Sequence, residues 1–91
     1  MVGESGIHLD AQTSNATILG NVEDSSGAAV ANAEVTATNQ DTGVAGSTVS
    51  TAEGIYGVPS LPPGKYTVEA KAVGFSPVQI KDVVVAVGSS G

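Results

Sequence analysis

Apolar and polar positions take turns along most of this chain with a period of two, the spacing of strands whose two faces meet different surroundings. Ile18, Gly20 and Val22 alternate with Thr17, Leu19 and Asn21; Ala33, Val35 and Ala37 alternate with Glu34, Thr36 and Thr38. Tyr66, Val68, Ala70 and Ala72 alternate with Lys65, Thr67, Glu69 and Lys71, so every second side chain there is charged or hydroxylated, as a sheet with one wet face requires. Weaker strands are predicted at Gly46 to Thr51, Ile55 to Val58, Val78 to Ile80 and Val83 to Val87, which makes about seven.

Turn chemistry separates these runs. Asp24-Ser25-Ser26-Gly27, Asn39-Gln40-Asp41-Thr42-Gly43, Glu53-Gly54 and Pro62-Pro63-Gly64 each supply a residue able to take positive φ, or a fixed proline φ, where a strand must reverse. Such punctuation, with no run of apolar residues at helical spacing, predicts an all-β antiparallel sandwich. Met1 to Asn15 mixes Gly, Ser, Asp and Gln with isolated apolar residues and reads as a flexible leader, open to a partly vector-derived origin. The domain is therefore expected over residues 16–88, with a Gly/Ser tail at 89–91.

Ninety-one residues suit one domain with one core, and the absence of cysteine removes disulfides, thiol catalysis and thiolate metal sites. Nine acidic residues against three lysines give a net charge of −6, which repels phosphate backbones and anionic lipid. Nucleic acid is not expected as a partner, and the carboxylates read as a solvated surface that keeps a β protein soluble. With no apolar run of membrane-spanning length and no signal-peptide pattern, the chain as given is expected neither to insert in a membrane nor to export itself.

The order of landmarks from Ala16 to about Val87 resembles the carboxypeptidase regulatory-like domain family. The pieces are Ile18-x-Gly20-x-Val22-x-Asp24, Gly27-x-x-Val30-x-Asn32-Ala33-x-Val35, Thr42-Gly43, Gly54-x-Tyr56, Leu61-Pro62-Pro63-Gly64-x-Tyr66-x-Val68 and Gly74-Phe75. The resemblance implies a Greek-key sandwich, transthyretin-like or immunoglobulin-like, of about seven strands. Gly27 and Gly54 are expected to close hairpins at positive φ. Leu61 and Pro62-Pro63-Gly64 are expected to turn a corner that drops Tyr66 into the core, its hydroxyl meeting nearby backbone as in a tyrosine corner. Tyr56 and Phe75 are the other two large core side chains expected, which leaves no exposed aromatic platform for sugars. Many relatives carry Thr-Asp-x-x-Gly before the aromatic strand, whereas this chain has Thr51-Ala52-Glu53-Gly54.

Members of the family are appended to metallocarboxypeptidase domains, surface proteins and the N-terminus of TonB-dependent outer-membrane receptors. The wording from Ala11 to Ile18 and from Gly27 to Ala33 is most similar to receptor-type versions, which implies a bacterial periplasmic setting, with a secreted or surface setting as the alternative.

Candidate chemistry is sparse. The sole histidine, His8, lies in the expected leader and reads as incidental. Glu23, Asp24 and Asp41 on neighbouring loops would suit calcium, but without an Asp-x-Asp-x-Asp-Gly loop. Collagen-adhesin B-type domains share such a sandwich and cross-link a first-strand lysine with help from a buried glutamate. Here Thr17 to Val22 has no lysine, Ala70 stands at the glutamate position, and Glu69 should face water. Asn15-Ala16-Thr17 matches a glycosylation acceptor by pattern alone. No catalytic residue, metal or cofactor is expected. A non-catalytic module is, with neighbouring domains of its parent or another periplasmic protein as partners and the edge formed by Val83, Val84 and Val85 as the meeting place. The alternative is a peptide- or carbohydrate-binding module using the loops Asn39 to Gly43 and Ala52 to Gly54.

Overall fold

The computed structural model describes residues 6–14 and 17–85. Seven strands follow one another: β1 (Ile7–Ser14), β2 (Thr17–Asp24), β3 (Glu34–Asn39), β4 (Ala45–Val49), β5 (Ile55–Val58), β6 (Gly64–Lys71) and β7 (Val78–Val85). They form two antiparallel sheets, ordered β1-β2-β5 and β4-β3-β6-β7, closed over one core as a β-sandwich. Since β2 neighbours β5 in one sheet while β3 neighbours β6 in the other, the chain crosses between sheets three times, the interlocked winding of a Greek key.

The alternation read from the sequence sorts the faces. Ile18 and Val22 of β2, Val35 and Ala37 of β3, and Tyr66, Val68 and Ala70 of β6 are buried, joined by Ala33, Tyr56, Val58 and Val85. Each fully buried Val, Ile or Tyr contributes about 1.5–3 kcal/mol by leaving water, and these are spread over both sheets, so neither sheet is stable without the other.

Two expectations are corrected. Residues 7–14 are β1, paired with β2 from Ile7↔Asp24 to Ser14↔Thr17, and not a leader. Ile7 is buried while Leu9 and Ala11 pack against the core, and His8 and Asp10 face out. The alternation is therefore present in the sequence, but over three modest apolar residues flanked by Gly and Ser, too weak a signal to stand out.

The two runs Val78 to Ile80 and Val83 to Val87 are likewise one strand as far as Val85, with 86–87 outside the described residues. Pairing with β6 slips between Tyr66 and Val68, and Asp82 takes φ 60. This bulge inserts one residue, which changes the inward set from even positions, Val78 and Ile80, to odd ones, Val83 and Val85.

Candidate functional site

Two buried tyrosines each fasten a different part of the sandwich. Tyr66 enters β6 after Leu61-Pro62-Pro63-Gly64, its ring wholly buried and its hydroxyl donating to Pro62 O at 2.7 Å. The corner is thus built as the sequence predicts. Its brace, Asn39, is buried at the end of β3, a burial that nothing local in the sequence marks. Asn39 Oδ1 accepts from the amides of Asp41 (2.8 Å) and Thr42 (3.0 Å), shaping the β3–β4 loop. A Cβ on Gly64, which has φ 152, would lie 3.0 Å from Asn39 Nδ2, so loop and corner are packed on one another. An Asn opening Asn-Gln-Asp-Thr-Gly is an Asx-turn signal, and its burial is the part hidden from sequence.

Tyr56 works over a longer span. Its ring is buried in β5 and its hydroxyl donates to Asp10 O in β1 at 2.6 Å. Burial, with the Asp10 charge second, pushes this phenol well above its ordinary range, so it stays a proton donor. Gly20 lies between the two, opposite Ala11 on one side and Tyr56 on the other. A Cβ there would sit 1.6 Å from Asp10 O and 2.6 Å from the Tyr56 hydroxyl, so only glycine lets β1 seat. Phe75 is half-buried and packs at the rim of the core, not within it.

The opposite connections are locked by small polar groups. Gly54 is buried at φ 76 beneath Val22, whose amide donates to Gly54 O at 2.7 Å; a Cβ would come 2.5 Å from Val22 O. The Thr51 hydroxyl accepts from the amides of Glu53 and Ile55, each at 3.2 Å, while Glu53 itself is exposed. Ser50, buried, donates to Val30 O (2.7 Å) and accepts from Ala33 N (2.9 Å), pinning the β2–β3 crossing to the end of β4. Gly27 takes φ 90 in the turn that Asp24 organises. Asp24 Oδ1 accepts from Ser26 Oγ (2.6 Å), Ser26 N (2.9 Å) and Ala28 N (3.0 Å). The Ser26 hydroxyl, then the amides of Ala28, Ser26 and Gly27, hold that carboxyl below the usual carboxylate range.

The candidate ligands do not converge. Asp24 is engaged within its own turn, and β3 runs between that turn and the loop holding Asp41. Among the described residues no three His, Cys, Asp or Glu side chains group to hold a metal. His8 is exposed on β1, directly opposite Glu23, beside a shallow depression shared with Asp10 and Asn21. Ala70 is buried and Glu69 half-exposed on the outer face, as the alternation predicts. Asn15 and Ala16 lie outside the described residues. No described helix is long and apolar enough to cross a membrane.

What remains is edges. Each sheet ends in two strands that have a ladder on one side only, β1 and β5 in the smaller and β4 and β7 in the larger, and β1 and β7 meet at the Gly6–Ser76 bridge. On β7, Val84 is exposed, Val83 half-buried and Val85 part of the core. In comparisons with known proteins, residues 17–91 match the model of the carboxypeptidase regulatory-like domain. No curated protein and no solved structure matches the chain. Strand β1 precedes the matched segment, yet Gly20 and Tyr56 within that segment are shaped around it.

Proposed function

The chain belongs to the carboxypeptidase regulatory-like domain family, and from that premise we propose that it is a non-catalytic structural and interaction module of a bacterial cell-envelope protein. The observation that carries this reading is how the polar groups of the interior are used. Asn39 and Ser50 are the buried polar residues among those described, and both are spent on backbone amides and carbonyls that shape connections. Tyr56 and Tyr66 spend their hydroxyls in the same way. A filled interior of this kind presents partners with strand edges and loop ends, where recognition runs through backbone hydrogen bonds.

The finer reading is the N-terminal periplasmic domain of a TonB-dependent receptor-like protein. It is supported by the likeness of 11–18 and 27–33 to receptor-type members. In this setting the domain is a spacer whose edges dock neighbouring domains.

Nuclear magnetic resonance titration of the labelled domain with the soluble domains encoded beside it tests the reading. Shifts confined to an edge strand such as β7, with no turnover of peptide or ester substrates, are expected. Saturable glycan binding at the loops 39–43 and 52–54, or hydrolysis lost on a single substitution, would replace it.

A further inference from the structure

The four edges are not alike. Natural sheets blunt exposed edges with charge, proline, bulges or brevity. β7 carries Lys81 and Asp82 at its bulge, and the Gln40 amide covers that bulge, its oxygen 3.0 Å from Asp82 N and its nitrogen 3.2 Å from Asp82 Oδ1. β1 carries His8 and Asp10, and β5 is four residues long, contains Gly57 and runs into Pro59. β4, five residues long with Gly46 in it, has no charge, no proline and no bulge. From Thr42 to Ala52 the sequence holds no ionisable residue and no proline, in a chain of net charge −6, and its ladder with β3 is unbroken from Glu34↔Val49 to Thr38↔Ala45.

The ladder also fixes which backbone groups are free. Ser50 N donates to Ala33 O and Asn39 N to Val44 O, so positions 44, 46, 48 and 50 turn their polar groups toward β3. Ala45, Ser47 and Val49 turn theirs outward, and all three are exposed.

We propose that β4 pairs antiparallel with β4 of a second copy of this chain, about a two-fold axis at Ser47. The segment reads against itself: Ser47 faces Ser47 of the other copy, and Ala45 faces Val49, with six backbone hydrogen bonds from the three outward residues of each strand. The result is a continuous eight-stranded sheet. Pairing also covers Val49, one of the large apolar side chains left exposed in the single copy.

Charge selects this edge for a like-charged partner. Across the axis the row runs Glu69, Thr36, Ser47 and then the same residues in reverse, so the two Glu69 carboxylates stand five strand spacings apart. That is about 24 Å, well beyond the ~8 Å screening length at physiological salt. Glu34, opposite Val49, stands one strand behind the edge with Lys71 on its other side, and Asp41 and Glu53 lie beyond the two ends of the paired segment; what these carboxylates add is repulsion, so added salt strengthens the association. A five-residue edge buries far less than the ~1,200–2,000 Å² of a stable complex, which puts the dissociation constant on the order of 1 mM for the isolated domain. Tethering many copies at one surface would raise their effective concentration to that range.

The test is nuclear magnetic resonance and sedimentation of the intact chain from about 0.05 to 3 mM, bracketing that constant. The amides of Ala45, Ser47 and Val49 should shift and gain exchange protection with concentration while those of Gly46 and Thr48 do not, and salt should sharpen the effect. Ser47→Lys, which sets two ammonium groups face to face, should abolish it; Val84→Lys on β7 should leave it unchanged. Should Ser47→Lys fail to fold, Ser47→Cys gives an independent reading. Its thiols across the axis, with Cα atoms about 5.5 Å apart, should oxidise to a dimer far faster than those of Val84→Cys. A chain monomeric across the range, a dimer indifferent to Ser47→Lys, or equal oxidation rates for the two cysteine variants would overturn the proposal.

Discussion

Tyr66 and Tyr56 are the two largest side chains of the core, and each donates its hydroxyl to a backbone carbonyl. They differ in reach. Tyr66 closes a corner four residues back in the chain, whereas Tyr56 reaches forty-six residues to fasten β1. The first bond stabilises a turn that proline and glycine already favour. The second is made only once the three-stranded sheet has formed, because β5 must lie beside β2, and β2 beside β1, before Asp10 O is within range. The same bond is therefore a local constraint at one end and a tertiary fastener at the other.

Emptying either ring position should cost most. Tyr66→Ala and Tyr56→Ala should each lose about 3–5 kcal/mol, against a total of roughly 5–14 kcal/mol for a domain of this length, and leave the protein close to unfolding in denaturant titrations. A loss below about 1 kcal/mol for either would mean that ring is not a core side chain.

Gly20→Ala should come next and separate the two regions. Its methyl occupies the position of Asp10 O, so β1 lifts and the burial of Ile7 and part of Leu9 is lost, about 2–4 kcal/mol. Hydrogen exchange should show β1 unprotected while β6 and the corner keep their protection. Uniform loss across all strands would contradict a separately fastened β1.

Removing only the hydroxyls gives the finer contrast. Tyr66→Phe and Tyr56→Phe should each cost about 0.5–1.5 kcal/mol. Exchange should quicken selectively in β1 for Tyr56→Phe and around 60–66 for Tyr66→Phe. Identical exchange patterns would erase the distinction.

The smallest effect belongs to the exposed Asp24 turn. Its carboxyl titrates lower folded than unfolded, so its stabilisation is fully present above the ordinary aspartate value and fades as pH falls through the depressed one. The amides of Ser26 and Ala28 should lose their hydrogen-bonded shifts over that acid window, and Asp24→Asn should remove the dependence.

The tyrosine contrast also explains how much was legible in the sequence. The corner could be read because Leu61, Pro62, Pro63, Gly64 and Tyr66 are adjacent in the chain, and the inner faces of β2, β3 and β6 because alternation is local. Strand β1 is not legible although Ile7, Leu9 and Ala11 alternate, since what holds it is Gly20 and Tyr56, residues that reveal themselves only when three strands are side by side. Gly20 reads as one more small residue in a strand; its task is set by an oxygen ten positions away. The bulge at Asp82 was hidden for a like reason, because two valine runs out of phase look like two strands until one partner, β6, is seen to pair with both. Asn39 and Ser50 sit in polar stretches that resemble any loop, and only burial distinguishes them.

Gly6 bridges Ser76 in parallel, so β1 and β7 run side by side in the same direction. The described residues thus begin with Gly6 at one end of the sandwich and reach the other at Val85. Tension drawn through those two points would act along the strand axes and oppose the whole ladder of β1 at once, instead of peeling it one rung at a time. A module wound this way is loaded in shear along β1, the geometry in which the hydrogen bonds of a ladder share the force.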